Sequence, residues 1–154
     1  MLSTTSVRRM RLWAETLLNT TEEQGSGYLR IPLIKSGGYA YCCLGIATLV
    51  ADAGDGDERV PASFSVLTGV NENDLSGLRS SPADEVDEWF LGPINERPKA
   101  SDGETMTLFN LPLKFEGRSG VICPWWANDA LQASFAQIGE AVNRWVDEQE
   151  SVVE

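Results

Sequence analysis

Apolar residues near the start of the chain recur at the spacing of an amphipathic helix. Ser6 is suited to cap this helix, and its apolar stripe consists of Val7, Met10, Ala14, Leu17 and Leu18. The polar, glycine-containing segment "NTTEEQGSG" then ends the helix.

Two short apolar runs follow, with a turn between them. "YLRIPLI" and "YAYC" flank "KSGG", whose glycines tolerate positive φ, so the pattern predicts a hairpin. Because proline cannot donate to a strand ladder, Pro32 places the first of these strands at a sheet edge.

The pattern changes at Cys42 or Cys43, where "CLGIATLVADAG" is apolar on nearly all sides. It predicts a buried helix that ends at Gly54, followed by "DGDERVP" as an exposed loop. The segment "SPADEVDEWFL" predicts another helix, with Ser81 as N-cap and Pro82 at the first helical position.

The second half of the chain predicts strands and a final helix. "TMTLFNLPLKF" and "SGVIC" have the composition of strands. Ser134 and Gln137 match a capping box, and the helix behind it carries Phe135, Ile138, Val142, Trp145 and Val146 at helical spacing.

This mixed order predicts one α+β domain over residues 1–154, with a small antiparallel sheet packed against three to four helices. Residues 92–104 contain Gly92, Pro93, Pro98 and Gly103 among polar residues and are predicted to form a mobile loop. We expect the tail at about residues 148–154 to be frayed.

The net charge of −11 is concentrated in the middle of the chain, where residues 52–104 hold thirteen acidic and four basic residues. Such a surface repels nucleic acid and anionic membranes, so we expect no direct binding of DNA or RNA. Neither an apolar stretch of membrane-spanning length nor a signal-peptide core is present, which predicts a cytoplasmic protein that binds no membrane. Solubility explains the acidic surface, and attraction of a basic host protein or mimicry of nucleic acid is the alternative.

The three cysteines and the absence of histidine limit the chemistry of the chain. Zinc normally takes four Cys or His ligands, and a cysteine nucleophile needs a base or a cation nearby. We therefore predict that Cys42 and Cys43 pack in the interior, and we predict no metal, no cofactor and no catalytic residue. The acidic stretch "DAGDGDE" breaks the EF-hand spacing and is interpreted as a turn.

The segment "CPWWAND" is the most informative candidate for binding. Trp125 and Trp126 offer stacking area beside the polar groups of Asn128 and Asp129, which suits a planar ligand or a protein interface. The alternative is that one tryptophan belongs to the core and "AND" is a turn. Further candidate residues for binding a ligand or partner are Arg30, Tyr39 and Tyr41.

Two blocks of the chain stand out in combination. The first is "YCCLG", residues 41–45, and the second contains Asn128, Asp129, Ser134, Phe135 and Ile138. Together they resemble a family of small phage-encoded proteins. The resemblance implies a phage or prophage origin and an accessory role in a bacterial cytoplasm. It carries no activity and no functional residues over to this chain.

These observations favour a non-enzymatic binder that acts in host takeover or against host defence. It would inhibit a host bacterial protein or sequester a nucleotide-type immune signal. An acidic nucleic-acid mimic that decoys a basic host protein is the first alternative, and a small carboxylate- or cysteine-dependent enzyme is the second. The sequence leaves the oligomeric state open, including a homo-oligomer.

Overall fold

The computed structural model describes residues 2–33, 37–60, 79–99 and 103–151. Within these residues the chain forms five α-helices, three short strands and one 3-10 turn. In chain order they are α1 (Thr4–Asn19), β1 (Glu23–Gln24), β2 (Arg30–Pro32), β3 (Tyr39–Tyr41), α2 (Cys43–Ala53), α3 (Asp84–Leu91), the 3-10 turn Ile94–Glu96, α4 (Pro124–Asp129) and α5 (Phe135–Ser151). The predicted α+β class is confirmed.

Helix α1 begins one turn earlier than its apolar stripe indicated. Ser3, not Ser6, is the N-cap residue, and its hydroxyl accepts a hydrogen bond from the Ser6 backbone N–H at 3.0 Å. Ser6 itself is buried inside the first turn. The predicted cap was wrong because Ser3 already satisfies an N–H of the first turn.

Helices α1 and α5 pack closely where α5 carries a glycine. A Cβ at Gly139 would lie 2.8 Å from the Ala14 carbonyl oxygen and 3.1 Å from Leu18 Cγ. Because glycine has no Cβ, α1 and α5 can approach closely, and their buried faces pack together. The capping box predicted for α5 is confirmed, since Ser134 N–H donates to Gln137 Oε1 and Gln137 N–H donates to Ser134 Oγ.

The sheet has the strand order β1-β3-β2. The predicted hairpin is confirmed by the antiparallel pairing of β2 with β3, and Pro32 lies on an edge strand as predicted. Strand β1, which the turn-like composition of its segment concealed, pairs parallel with β3. The sheet is therefore mixed rather than antiparallel throughout.

Helix α2 starts and stops as its sequence predicted. Its first residue is Cys43, and Gly54 ends it with φ of 85°, a backbone conformation that favours glycine. Gly45 is needed for a different reason, because a Cβ there would overlap the carbonyl oxygen of Leu29. This close approach seats α2 beneath the segment that leads into β2.

The centre of the core joins α1, α2 and α3. The buried indole of Trp13 donates from Nε1 to the Cys43 carbonyl oxygen at 3.0 Å, and its ring lies 6.1 Å from that of Phe90. Helix α3 begins at Asp84 with Ala83 at the N-cap. The cap predicted at Ser81 was therefore two residues too early, and Pro82 precedes the helix instead of occupying its first position.

The predicted strands between residues 105 and 123 are wrong for the part of the chain described. Only two isolated antiparallel bridges form there, Lys99 with Thr105 and Leu113 with Ile122. The segment instead packs its apolar side chains individually, with Met106, Leu108, Leu111 and Leu113 all buried.

Several predictions fall partly on residues outside the described ones. These are 34–36 of the hairpin turn, 61 after the acidic stretch, 100–102 of the loop and 152–154 of the tail, while α5 continues to Ser151. None of the helices in the described ranges combines the length and apolar character that crossing a bilayer requires.

Candidate functional site

The two adjacent tryptophans lie on α4, a helix of six residues whose first position is Pro124. The segment "AND" is thus the end of a helix rather than a turn. Consecutive helical residues leave the helix in different directions, so the two indole planes are nearly perpendicular while the rings stay in edge-to-face contact. Their ring centroids are 5.3 Å apart with an interplanar angle of 87°.

Trp125 is held against the irregular segment that precedes α4. Its ring stacks on Phe109 at a centroid distance of 5.4 Å and an angle of 13°. The two stacked rings line an open groove of about 630 Å³. The lining is largely apolar, and we call this feature the tryptophan groove: Thr105, Thr107, Phe109, Asn110, Leu111, Pro112, Val121, Cys123, Trp125 and Glu104.

Large apolar side chains are exposed next to this groove. Trp126, edge-on to Trp125, has 47% of its surface exposed, and Val121 in the groove lining also has 47% exposed. By contrast, Trp13, Trp89 and Trp145 are all buried. An exposed tryptophan beside an apolar groove is the surface feature most typical of a binding hot spot.

Asn128 faces inward and makes four hydrogen bonds that join α4 to the β1 segment and to the start of α2. Its Oδ1 accepts from the Gln24 side chain at 2.9 Å and from the Cys43 backbone N–H at 3.1 Å. Its Nδ2 donates to the Gly25 carbonyl and to Asp129 Oδ1, each at 2.8 Å. With 3% of its surface exposed and these bonds made, Asn128 is a structural junction.

Gln24 completes the junction on the side of α5. Its amide donates to the Ala133 carbonyl at 2.7 Å and accepts from the Phe135 N–H at 3.2 Å. The two blocks of the phage-family resemblance therefore meet at one hydrogen-bond network. Sequence analysis did not identify Gln24, because nothing local distinguishes a glutamine in a polar turn from one that bridges distant segments.

The thiols of Cys42 and Cys43 are interior groups. Burial raises the pKa of Cys42 to about 11 and raises the pKa of Cys43 well above its usual range. Cys42 Sγ accepts from the Gly45 N–H at 3.4 Å, and Cys43 Sγ donates to the Pro124 carbonyl at 3.5 Å. Neither thiol is disposed to ionise, so both act as packing groups that close β3 onto α2.

The remaining predicted residues form a second cluster on the sheet. The Arg30 guanidinium lies 4.1 Å from the ring centroid of Tyr39, and Arg30 pairs across the strands with Tyr41. Burial raises the pKa of Tyr41, while a hydrogen bond to Arg30 opposes that rise. No ring contact within the described ranges connects either tyrosine to Trp125 or Trp126.

Asp129 lies at the end of α4 and ties down the chain after β1. Its Oδ2 accepts from the Gly27 N–H at 3.1 Å. Together with Gln24, Asn128 and Gln132 it lines a separate polar cavity of about 300 Å³. The structure thus places Asp129 beside Asn128, as their adjacency requires, but on this polar cavity and not in the tryptophan groove.

The segment that begins at Asp55, predicted to be an exposed loop, is not wholly exposed. The Asp55 side chain is 2% exposed and receives hydrogen bonds from Arg9 Nε at 2.8 Å and Arg8 Nη2 at 2.9 Å. The Glu58 N–H and then Arg9 hold the pKa of Asp55 well below its usual range. Across the described residues, no group of three or more Cys, Asp or Glu side chains is arranged to hold a metal ion.

Comparison of the chain with family models, with curated proteins and with solved structures finds no match. The features that bear on function are therefore the groove, the junction and the charged surface. The phage-family resemblance stays a prediction.

Proposed function

We propose that this protein is a non-enzymatic binder of a host protein, acting as a phage accessory factor in the bacterial cytoplasm. The observation that carries the proposal is Trp126, which is 47% exposed beside the stacked Phe109 and Trp125. Tryptophan is enriched among residues that dominate binding energy, and the flanking groove can receive an apolar side chain of the partner.

The chemistry of the groove favours a protein over a nucleotide-type signal. Among the described residues that line it there is no arginine or lysine, whereas a nucleotide phosphate is normally held by such cations. Arg9 and Arg11, which lie outside the groove lining, are engaged by carboxylates.

An enzymatic role receives less support from the same geometry. Cys42 and Cys43 are buried with raised pKa values, which disfavours the thiolate that nucleophilic catalysis needs. Asp87, whose pKa burial raises to about 6, accepts a hydrogen bond from the Leu108 N–H and does not line the groove.

The proposal is tested by affinity capture from the host with matched variants. We expect a host protein to be recovered with the wild-type chain and with Ile94→Ala, which removes another exposed apolar side chain outside the groove. The same protein should be depleted at least tenfold with Trp126→Ala. Equal recovery by all three proteins would remove the basis for the groove as the interface.

A second candidate, the acidic decoy, is favoured by one specific surface. Asp84, Glu85 and Glu88 project from α3 as exposed carboxylates without an ion pair to any described residue. Recognition through these charges would weaken steeply with salt. The test is 0.5 M salt, at which the Debye length is about 4 Å. If this salt releases the captured protein while Trp126→Ala still recovers it at low salt, the acidic decoy replaces the groove as the explanation.

A further inference from the structure

A third cavity lies between α5 and the turn that the Leu113–Ile122 bridge encloses. Its volume is about 180 Å³, and charges of both signs line it: Glu116, Arg118, Glu140 and Arg144. Phe115 and Leu131 supply apolar wall. None of these residues lines the tryptophan groove, so the mixed-charge cavity is a separate site.

Arg144 is fixed in place without using a carboxylate. Its Nε and Nη2 both donate to the Lys114 carbonyl oxygen, at 3.3 and 2.9 Å. Glu140 lies four residues earlier on α5, the spacing at which Glu and Arg normally pair on a helix. No such ion pair forms here, because the Lys114 carbonyl holds the guanidinium, and the Glu140 carboxylate has no ion-pair partner in the described ranges.

Two further polar groups at the cavity retain hydrogen-bonding capacity. The Arg118 side chain makes no hydrogen bond or ion pair with any described residue, although its backbone N–H closes the turn onto the Phe115 carbonyl. Gln137 uses its Oε1 for the capping box and leaves its amide NH₂ without a bond to the part of the chain that is described. The site thus combines free cationic, anionic and amide groups around an apolar wall.

We propose that this cavity binds a free amino acid that has an apolar side chain. Arg118 and the unused edge of Arg144 would receive the carboxylate, for which the planar guanidinium is well shaped. Glu140 and Glu116 would receive the ammonium group. Phe115 and Leu131 would contact the side chain of the ligand.

The size of the cavity agrees with a ligand of this class. A volume of 180 Å³ equals that of about six water molecules at roughly 30 Å³ each. It is smaller than the roughly 300–1,000 Å³ of pockets that enclose drug-sized ligands. A nucleotide would therefore not be enclosed, whereas a small zwitterion would reach both pairs of charges.

The ligand class is tested by NMR titration of the full chain with L-leucine, L-methionine and L-phenylalanine. We expect saturable binding of at least one of them, with shifts at Arg118 and along the first turns of α5. L-leucinamide lacks the carboxylate and N-acetyl-L-leucine lacks the ammonium group, so each should bind at least tenfold more weakly than L-leucine. Absence of saturable binding by all three amino acids, or equal binding of the derivatives, would overturn the proposal.

Matched variants test the site itself. Arg118→Gln and Glu140→Gln should each weaken binding at least tenfold, while Arg79→Gln and Glu15→Gln, at exposed positions elsewhere, should leave it within twofold. Each variant is checked for unchanged urea unfolding. Trp126→Ala should retain full amino-acid affinity, which separates this inference from the function proposed for the groove. Unchanged affinity in both cavity variants, or a loss in Trp126→Ala, would contradict the assignment.

Discussion

The backbone N–H of Cys43 donates to the side-chain Oδ1 of Asn128 at 3.1 Å, across 85 positions of the chain. This bond satisfies an N–H at the start of α2 and anchors the end of α4 to the strand-to-helix junction. It gives the adjacent thiols their place in the fold, because it holds Cys43 where its Sγ meets the Pro124 carbonyl. The same bond positions the helix that carries Trp125 and Trp126.

Replacement of Asn128 should therefore weaken the whole fold. Asn128→Ala leaves the Cys43 N–H and the Gly25 carbonyl without their partners, and one buried unpaired group costs about 1–3 kcal/mol. We expect a loss of roughly 2–5 kcal/mol in the free energy of unfolding, measured by urea denaturation.

Asn128→Asp is the comparison variant for this prediction. It keeps an acceptor for Cys43 but cannot donate to Gly25, and it places a second carboxylate beside Asp129. It should be at least as destabilising as the alanine variant at neutral pH. A loss below about 0.5 kcal/mol in either variant, which is typical of ordinary surface sites, would show that the junction is not structural.

Gly45 should not tolerate even the smallest side chain. Glycine to alanine in a helix normally stabilises by about 1 kcal/mol. Here the new Cβ would overlap the Leu29 carbonyl oxygen, so Gly45→Ala should lower the free energy of unfolding by about 3 kcal/mol or more. Gly139→Ala should cost less, because its Cβ would lie 2.8 Å from the Ala14 carbonyl oxygen, a smaller overlap than the one at Gly45, and a small backbone shift relieves it. Thermal and urea unfolding of both variants would show the order, and a stabilised Gly45→Ala would contradict the close approach.

The sequence predicted those elements whose signals are local. The capping box of Ser134 and Gln137, the end of α2 at Gly54 and the hairpin around Tyr39 each depend on neighbouring residues, and all were found. The parallel pairing of β1, the bond from Asn128 to Cys43 and the stacking of Phe109 on Trp125 join distant segments, and no local pattern encodes them. For the site, the sequence identified Trp125 and Trp126 but could not show that Asn128 faces inward.

The stability contribution of Asp87 should depend on pH in the direction opposite to most carboxylates. Burial raises the pKa of Asp87 from 3.8 to about 6, and the nearby Asp84 carboxylate adds to this rise. The hydrogen bond from the Leu108 N–H and the charge of Arg97 lower the pKa, but by less. The folded state then holds the proton more tightly than the unfolded state, so this group's contribution declines as pH rises from about 4 to 6.

Comparison with Asp87→Asn isolates this effect. The amide keeps an acceptor for Leu108 and does not titrate, and the opposite contribution of Asp55 is present in both proteins. The wild type should lose about 2 kcal/mol of unfolding free energy relative to Asp87→Asn between pH 4.5 and 7.5. If the difference in unfolding free energy between the two proteins stays constant over that range, the pKa of Asp87 is not raised.

The thiols should divide into two classes of reactivity. Cys42 and Cys43 are 6% and 0% exposed, whereas Cys123 is half-buried and lines the groove. With iodoacetamide at pH 8, we expect Cys123 to be alkylated first and Cys42 and Cys43 to react at least a hundredfold more slowly. The reagent reacts only with a thiolate that it can reach. Mass spectrometry of peptides resolves the three sites. Rapid labelling of Cys43 in the folded protein would contradict its interior role.

The central claim is that this protein works by binding through the groove beside Trp126. Its most direct test is calorimetry of Trp126→Ala against the captured host partner, with Ile94→Ala as the matched control and unfolding measured for both. The account predicts at least a thirtyfold loss of affinity, equivalent to about 2 kcal/mol, with the free energy of unfolding unchanged and Ile94→Ala within threefold of wild type. Native affinity in a folded Trp126→Ala protein would contradict it.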